Sequence, residues 1–383
     1  MLTTLKNWTV NRQRYHEHPD AVIVACFYNP QRSPYRLIAF HKWYRSIKHL
    51  PHRIIECTVG EDTQSQLPSS PWITTVHAPS LLWHKETLLN QVIAALPSQY
   101  RYVFWMDTDV LLTNRRWIPE AVKKLQKDVI VQPFGYAIHL NRHEVTPNFD
   151  PAPYHTWTVP PTPRHPHMWR SFGMTYHFSP RIAQSSDYDT HGHVGFLWGA
   201  RRELLDAVPL FDKALTGGAD HIIAHAAAGD LYHPCLEKAF APMMEDIGRW
   251  GIAFDQEVKG RLTYVPGDLY HLWHGDLAKR QYLPRIQAIS PHFYRFRRNH
   301  DGFWIDPDEL VDLAAYYAER EVWYVDDYAA YETYCGEFEA DMGYPLETLC
   351  PPQMETSAPP EDTAQVAAMD FVVAAEMLAD TFS

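Results

Sequence analysis

Tyr100-Arg-Tyr-Val-Phe-Trp-Met106 runs directly into Asp107-Thr108-Asp109. The run is apolar throughout rather than alternating, which predicts a central strand covered on both faces. Strands of that kind belong to mostly parallel sheets, where ligands bind beyond the carboxyl ends. The two acids therefore fall where a site belongs.

Working outward, Ala21-Val-Ile-Val-Ala-Cys-Phe27 is another continuous apolar run, closed by Tyr28-Asn29-Pro30, and predicts a buried strand and a turn. Residues 34–49 place Leu37, Ile38, Phe40, Trp43, Tyr44 and Ile47 at helical spacing. Strands are expected at 53–59 and 72–77. Leu88, Leu89, Val92, Ile93 and Leu96 make 83–96 an amphipathic helix stopped by Pro97. A helix at 118–126 and a strand at 129–132 continue the alternation. The pattern predicts an α/β fold, a mostly parallel sheet with helices on both faces. Residues 140–190 are rich in Pro, His and aromatics and lack periodicity, which predicts a long active-site loop. Pattern returns at 192–205, with helices at 219–228 and near 241–250, and a strand or strand pair at 262–273. The chain thus divides into an arm (1–20), the domain carrying the chemistry (21–290), a helical aromatic C-terminal segment (291–350), and a Pro/acidic linker with a tail helix (351–383).

Composition sets outer bounds. With 383 residues, 46% hydrophobic and 21% charged, neither wholesale disorder nor a fibre is compatible with the chain. The balance of 34 Lys/Arg against 46 Asp/Glu gives a net charge of −12, which weighs against non-specific grip on phosphate backbones but leaves a local basic groove open. No run approaches the ~18 apolar residues of a membrane span, and Met1-Leu-Thr-Thr-Leu-Lys-Asn-Trp8 has no apolar signal core. Cys26, Cys57, Cys235, Cys335 and Cys350 are odd in number and show no CxxC spacing. Reduced thiols, a cytoplasmic location and no zinc-finger framework are expected from that usage.

The chemistry starts from Asp107 and Asp109. At i and i+2 they project to one side, about 7 Å apart if extended. Their repulsion is roughly 2 kcal/mol at an effective dielectric near 20. A divalent cation, Mn²⁺ or Mg²⁺, would relieve it, since hard oxygen ligands suit both. A helix N-cap would explain one of these acids but not two. The second signal is His271-Leu-Trp-His274-Gly275-Asp-Leu-Ala-Lys279-Arg280. Imidazole supplies a ligand, Gly lets backbone approach, and the cations neutralise phosphate oxygens. The ordinary alternative is a surface turn with a packing His.

The order of an apolar first strand, Lys85-Glu86-Thr-Leu-Leu-Asn90 on a helix, Phe104-Trp-Met-Asp-Thr-Asp109 and a late His-Gly-basic segment resembles the GT-A glycosyltransferases, nucleotide-sugar-dependent enzymes with a DxD metal motif. The likeness covers residues 20–290. It implies a GT-A catalytic domain in which Asp107, Asp109 and His274 hold Mn²⁺ or Mg²⁺. Lys85, Asn90, Asp107, Lys279 and Arg280 would contact the donor. Gly192-His-Val-Gly-Phe-Leu-Trp198-Gly-Ala-Arg-Arg202 and Gly217-Gly218-Ala219-Asp220-His221 are similar to the Gly/Trp strand and Gly-Gly-x-Asp turn of galactosyltransferase-type members. That similarity implies Asp220 as the catalytic carboxylate that binds or deprotonates the acceptor hydroxyl, with Trp198, Gly218 and His221 at the acceptor. Each has an ordinary alternative: an N-cap for Asp220, a core ring for Trp198, surface positions for Lys85 and Asn90.

The implied activity is sugar transfer from a nucleoside-diphosphate sugar, UDP first, to a hydroxyl acceptor. That acceptor is a glycan or a hydroxymethylated pyrimidine in DNA. Two other classes stay open: a sugar-nucleotide nucleotidyltransferase, which lacks its Gly-rich loop at Tyr28-Asn-Pro-Gln-Arg-Ser33, and a non-catalytic carbohydrate-binding protein. The pairs His165/His167 and His191/His193, and His221/His225 one helical turn apart, have neither an HExxH motif nor a Cys partner in sequence. They are expected to be surface and loop histidines.

Overall fold

The computed structural model describes residues 18–61, 63–156, 164–184, 188–276, 280–306 and Leu313. Residues 1–17 of the arm, most of the 291–350 segment, the linker and the tail helix expected from sequence lie outside the described residues.

The main sheet is built from β1 (Ala21–Tyr28), β2 (His52–Val59), β3 (Ile73–Ala78), β4 (Tyr102–Met106), β6 (Ile130–Gln132), β9 (Leu197–Arg201) and β10 (Leu262–Tyr264). Its order is β10-β6-β9-β4-β1-β2-β3. All neighbours are parallel except β9, which runs antiparallel between β4 and β6. A smaller sheet, β5-β11-β7-β8, joins β5 (Val110–Leu112), β11 (Asp268–His271), β7 (Tyr136–His139) and β8 (Met168–Arg170). A two-stranded ribbon pairs β12 (Arg297–Arg298) with β13 (Trp304–Ile305).

The helices are α1 (Pro34–Ile47), α2 (Lys85–Ala95), α3 (Trp117–Leu125), α4 (Phe172–Phe178), α5 (Arg202–Ala207), α6 (Ala219–Ala227), α7 (Pro234–Phe240), α8 (Met244–Val258) and α9 (Tyr282–Ile289), with short turns at Pro180–Ala183 and Tyr188–His191. They cover both faces of the sheet, because successive strand side chains point to opposite sides. Val22, Val24, Val103, Trp105 and Trp198 pack with α2, α6 and α8. Ile23, Phe27, Phe104, Met106 and Leu197 pack with α1 and α3. The expected α/β architecture, mostly parallel with helices on both faces, is the one observed.

Two expectations need correction. Residues 140–190 are not a single loop. They contain β8 and α4, the latter capped by Ser171, whose side chain accepts from Met174 N–H. Strand and helix are three and seven residues long, too short to print a period on the sequence. The 262–273 run gives two strands, one of the alternatives expected: Pro266-Gly267, with Gly267 at φ +130°, divides it, so that β10 and β11 enter different sheets. From residue 291 to 306 the chain forms a 3₁₀ segment (Ser290–Arg295) and the β12–β13 ribbon rather than a helix, and the rest of the 291–350 segment, Leu313 apart, lies outside the described residues. Asn299 turns that ribbon by accepting from Asp301 and Phe303 N–H, which buries Phe303 and Trp304 against α2's side of the sheet.

Candidate functional site

The carboxyl end of β4 delivers Asp107 and Asp109 to one edge of the main sheet. Asp107 N–H donates to Phe196 O at 2.8 Å, and Phe196 holds φ +81°, a left-handed conformation that non-glycine residues rarely adopt. Antiparallel β9 therefore starts beside the end of β4. Lys85, the first residue of α2, reaches across with Nζ 2.6 Å from Asp107 Oδ1 and 3.7 Å from Asp220 Oδ2. Asp220 stands in the first turn of α6. One buried ammonium thus bridges two of the three acids.

The third acid faces the other way. Pairing of β5 with β11 sets His271 opposite Val110, and Leu272 N–H donates to Asp109 O at 2.8 Å. That ladder brings His274 Nε2 to 2.9 Å and His271 Nε2 to 3.8 Å from Asp109 Oδ2. Arg280 Nη2 approaches His274 Nε2 at 3.1 Å. His139 Nδ1 lies 3.1 Å from His271 Nδ1, and the Phe196 ring stacks on His193 and His271 with centroids 4.0 and 4.7 Å away.

Burial and charge act differently on the two halves. Burial would raise the Asp109 carboxyl, but the imidazoles of His271 and His274 beside it outweigh that and hold the group well below the usual carboxylate range. Asp107 is pushed up to about 6, by burial first, with Lys85 opposing and Asp220 and Asp109 adding to the rise. Burial, then Arg280 and Arg36, keep His274 neutral, the form in which an imidazole can ligate. Asp109, His271 and His274 offer ligand atoms close enough to hold one ion. Asp109 Oδ1 is buried and has no hydrogen-bond partner among the described residues. An oxygen donor left bare beside two imidazoles suits a divalent cation of the Mn²⁺ class.

Glu86, next to Lys85, is buried and its carboxyl is raised to about 8, by burial first and by Asp220, against the pull of Lys85. Between its ordinary value of 4.5 and about 8 the folded chain keeps a proton that the unfolded chain releases. Wild-type stability therefore falls as pH rises through that window. Glu86→Gln retains the neutral shape and removes the fall. The variant is expected to be more stable than wild type at pH ~9 by on the order of 1–3 kcal/mol, with little difference at low pH. Denaturant unfolding of both proteins at the two pH values checks this; identical pH dependence would refute it.

Lys85, Asp107, Asp109, Asp220, His274 and Arg280 are thus brought to one edge of the sheet. Others are not. Trp198 is fully buried in the core on the α6 side, and its Nε1 donates to Val194 O at 2.7 Å, so no sugar can stack on it. Asn90 spends its side-chain amide on both backbone groups of Leu210, pinning the chain after α5 rather than reading a donor. Gly218 caps α6 at φ +96°, and a Cβ there would lie 2.9 Å from Phe240 Cζ: its role is a backbone one. His221 faces Cys235, with Nε2 3.1 Å from Sγ, so the His221/His225 pair does have a Cys partner. Burial of His191 and His225 likewise overturns their assignment to the surface. Lys279 lies outside the described residues. Nothing local in the sequence marks His139, His193 or Glu86 as neighbours of the acids, because strand pairing and helix packing bring them there.

No known family profile matches the chain, and no curated protein matches it. Among solved structures, glucosyl-3-phosphoglycerate synthase of M. tuberculosis is similar at 12% identity and a TM-score of 0.33, over 77% of this chain and 82% of that one. The same enzyme in complex with Mn²⁺, uridine diphosphate and glucosyl-3-phosphoglycerate gives 12% and 0.34 over the same shares. Mannosyl-3-phosphoglycerate synthase from Rubrobacter xylanophilus gives 12% and 0.33, over 89% of this chain and 82% of that one. Likeness this loose assigns neither a family nor an activity.

Proposed function

We propose that the protein is a metal-dependent glycosyltransferase that moves a sugar from a nucleoside-diphosphate sugar, UDP first, to a hydroxyl acceptor. The observation that carries this is the division of labour at the end of β4. Asp109, His271 and His274 form a ligand set on one side, and Lys85, Asp107 and Asp220 form a charged relay on the other. A divalent cation held by Asp109, His271 and His274 would supply positive charge to a leaving diphosphate. Arg280, buried beside His274, adds a fixed cation for the same phosphates. Lys85 keeps Asp107 and Asp220 apart and oriented, and Asp107 is placed to accept from donor hydroxyls. Asp220 takes the proton as the acceptor oxygen bonds to the anomeric carbon and the bond to the diphosphate breaks. A carboxylate is adequate for a hydroxyl that is already losing its proton in the transition state. Among the described residues no helix is long and apolar enough to cross a membrane.

Many such enzymes hydrolyse their donor slowly without acceptor, so nucleotide release from a panel of UDP-, GDP- and other sugar nucleotides, with Mn²⁺ or EDTA, tests the reading directly. Release from one nucleotide class, abolished by EDTA, is expected. Silence across the panel, together with no metal-dependent nucleotide binding by calorimetry, would sink it and favour a non-catalytic binder.

A further inference from the structure

Behind Asp220, on the next residues of α6, stands a second group of metal-ligating side chains that the proposed reaction does not use. His191 ends the helical turn before β9, His221 and His225 lie one turn apart on α6, and Cys235 opens α7. One ligand atom from each lies within 4.8 Å of all the others. His191 and His225 are fully buried. We propose that His191, His221, His225 and Cys235 form a structural zinc site that fastens α6, α7 and the segment before β9 to one another.

Proton accounting supports the assignment. His191 Nδ1 is 2.8 Å from Gly192 O, a carbonyl that can only accept, so the ring proton is on Nδ1 and Nε2 carries the lone pair. His233 Nε2 is 2.9 Å from Gln184 O, so His233 presents its lone pair at Nδ1, 2.8 Å from Cys235 Sγ. His221 Nε2 and His225 Nε2 stand 3.1 and 3.4 Å from the same sulfur. His233 Nδ1 is already met by Cys235 N–H at 3.3 Å, which leaves the sulfur to His221 and His225. If His225 protonates Nε2 to face the sulfur, its Nδ1 lone pair confronts Asp230 Oδ2 at 3.6 Å, and neither atom has a hydrogen-bond partner among the described residues. A cation at the Nε2 side removes that conflict. His225 then turns Nδ1–H toward Asp230, the carboxylate–histidine–metal arrangement that orients zinc ligands, and Cys235 ligates as thiolate.

The chemistry separates this site from the one at Asp109. Three imidazoles and a thiolate suit zinc, whereas a carboxylate-containing set suits Mn²⁺ or Mg²⁺. A tetrahedral zinc ion needs ligand atoms about 3.3–3.6 Å apart, given Zn–N of ~2.0–2.1 Å and Zn–S of ~2.3 Å. The observed N···S contacts of 3.1 and 3.4 Å already approach this. Burial, followed by the neighbouring histidines, keeps His221 and His225 neutral, with His225 pushed down to about 2, which is the ligating form. Because Asp220 precedes His221 directly, the ion would also fix the start of the helix carrying the proposed base.

The test uses the full chain, free of any histidine tag. Elemental analysis after dialysis against a weak chelator is expected to show about one zinc per chain. Replacement by Co²⁺ should give the strong visible bands of a tetrahedral site and a thiolate-to-cobalt band in the near ultraviolet. Cys235→Ser should abolish the ultraviolet band, and His221→Gln should shift the visible bands while keeping it. Asp109→Asn should leave the zinc content and the thiolate-to-cobalt band unchanged. Absence of retained zinc together with a featureless cobalt titration would overturn the proposal. So would a Cys235→Ser protein with the wild-type cobalt spectrum, or loss of the zinc in Asp109→Asn. If neither ligand variant folds, the wild-type cobalt spectrum still decides, because the ultraviolet band requires a thiolate ligand.

Discussion

Asp109→Asn is expected to lower kcat/KM for donor cleavage by about 10³-fold, equivalent to ~4 kcal/mol of transition-state stabilisation. Its melting temperature should stay within a few degrees of wild type. Asp109 is the only anion in its ligand set, and His271 and His274 already hold it ionised. The amide keeps the side chain's shape and leaves the Leu272 N–H to Asp109 O bond in place, so the β5–β11 ladder survives. What disappears is the negative charge that makes two neutral imidazoles a competent cation site. EDTA should then remove little further activity from the variant, whereas it silences wild type. Metal-dependent cleavage within tenfold of wild type would show that the cation is held elsewhere, and would return Asp107 to the position of principal ligand.

The largest loss of stability is expected at a residue without a side chain. Gly199 is paired with Phe104 across β9 and β4. A Cβ at 199 would lie 2.2 Å from Phe104 Cδ1 and 2.3 Å from Cε1. The Phe104 ring cannot retreat, since it is fully buried and packed edge-on against Trp117 with centroids 5.1 Å apart. Gly199→Ala must therefore displace a central strand or expel the ring, at a cost of about 3 kcal/mol or more. Phe104→Leu in the same chain should recover part of that loss, because it removes the atoms that clash. Denaturant unfolding of the two single variants and the double variant checks the coupling; additive effects would mean that the clash is relieved by another route.

These two residues also show how far the sequence could be read. The strand before Asp107 announced itself because a short, unbroken apolar run fits little besides a strand buried on both faces, and the helix carrying Lys85 did so through its apolar stripe. Both signals are local. The partners of Asp109 are not: His271 and His274 reach it only because β11 pairs with β5, and no periodicity encodes which strands will meet. Trp198 shows the opposite limit. Its glycine-flanked setting looked like a binding motif, yet Gly199 is there to accommodate Phe104, and the indole fills the core. The histidine pair on α6 shows no cysteine partner in sequence and reads as surface histidine, because a turn and a new helix separate it from Cys235. Short elements such as β8 and α4 left no trace, since three to seven residues cannot establish a period.

Antiparallel β9 carries a consequence for the order in which the chain can be assembled during translation. The unit β3-β2-β1-β4 uses only residues up to 106 and can pair as soon as β4 leaves the ribosome. β6 is made next but has no partner in that unit, because its two neighbours are β9 and β10. It must wait, exposed, until Leu197–Arg201 arrives and slots between β4 and β6, and β10 is added at the far edge later still. β9 is thus the keystone of the nascent chain, and the ends of β4 that bear the acids stay uncovered until it is in place.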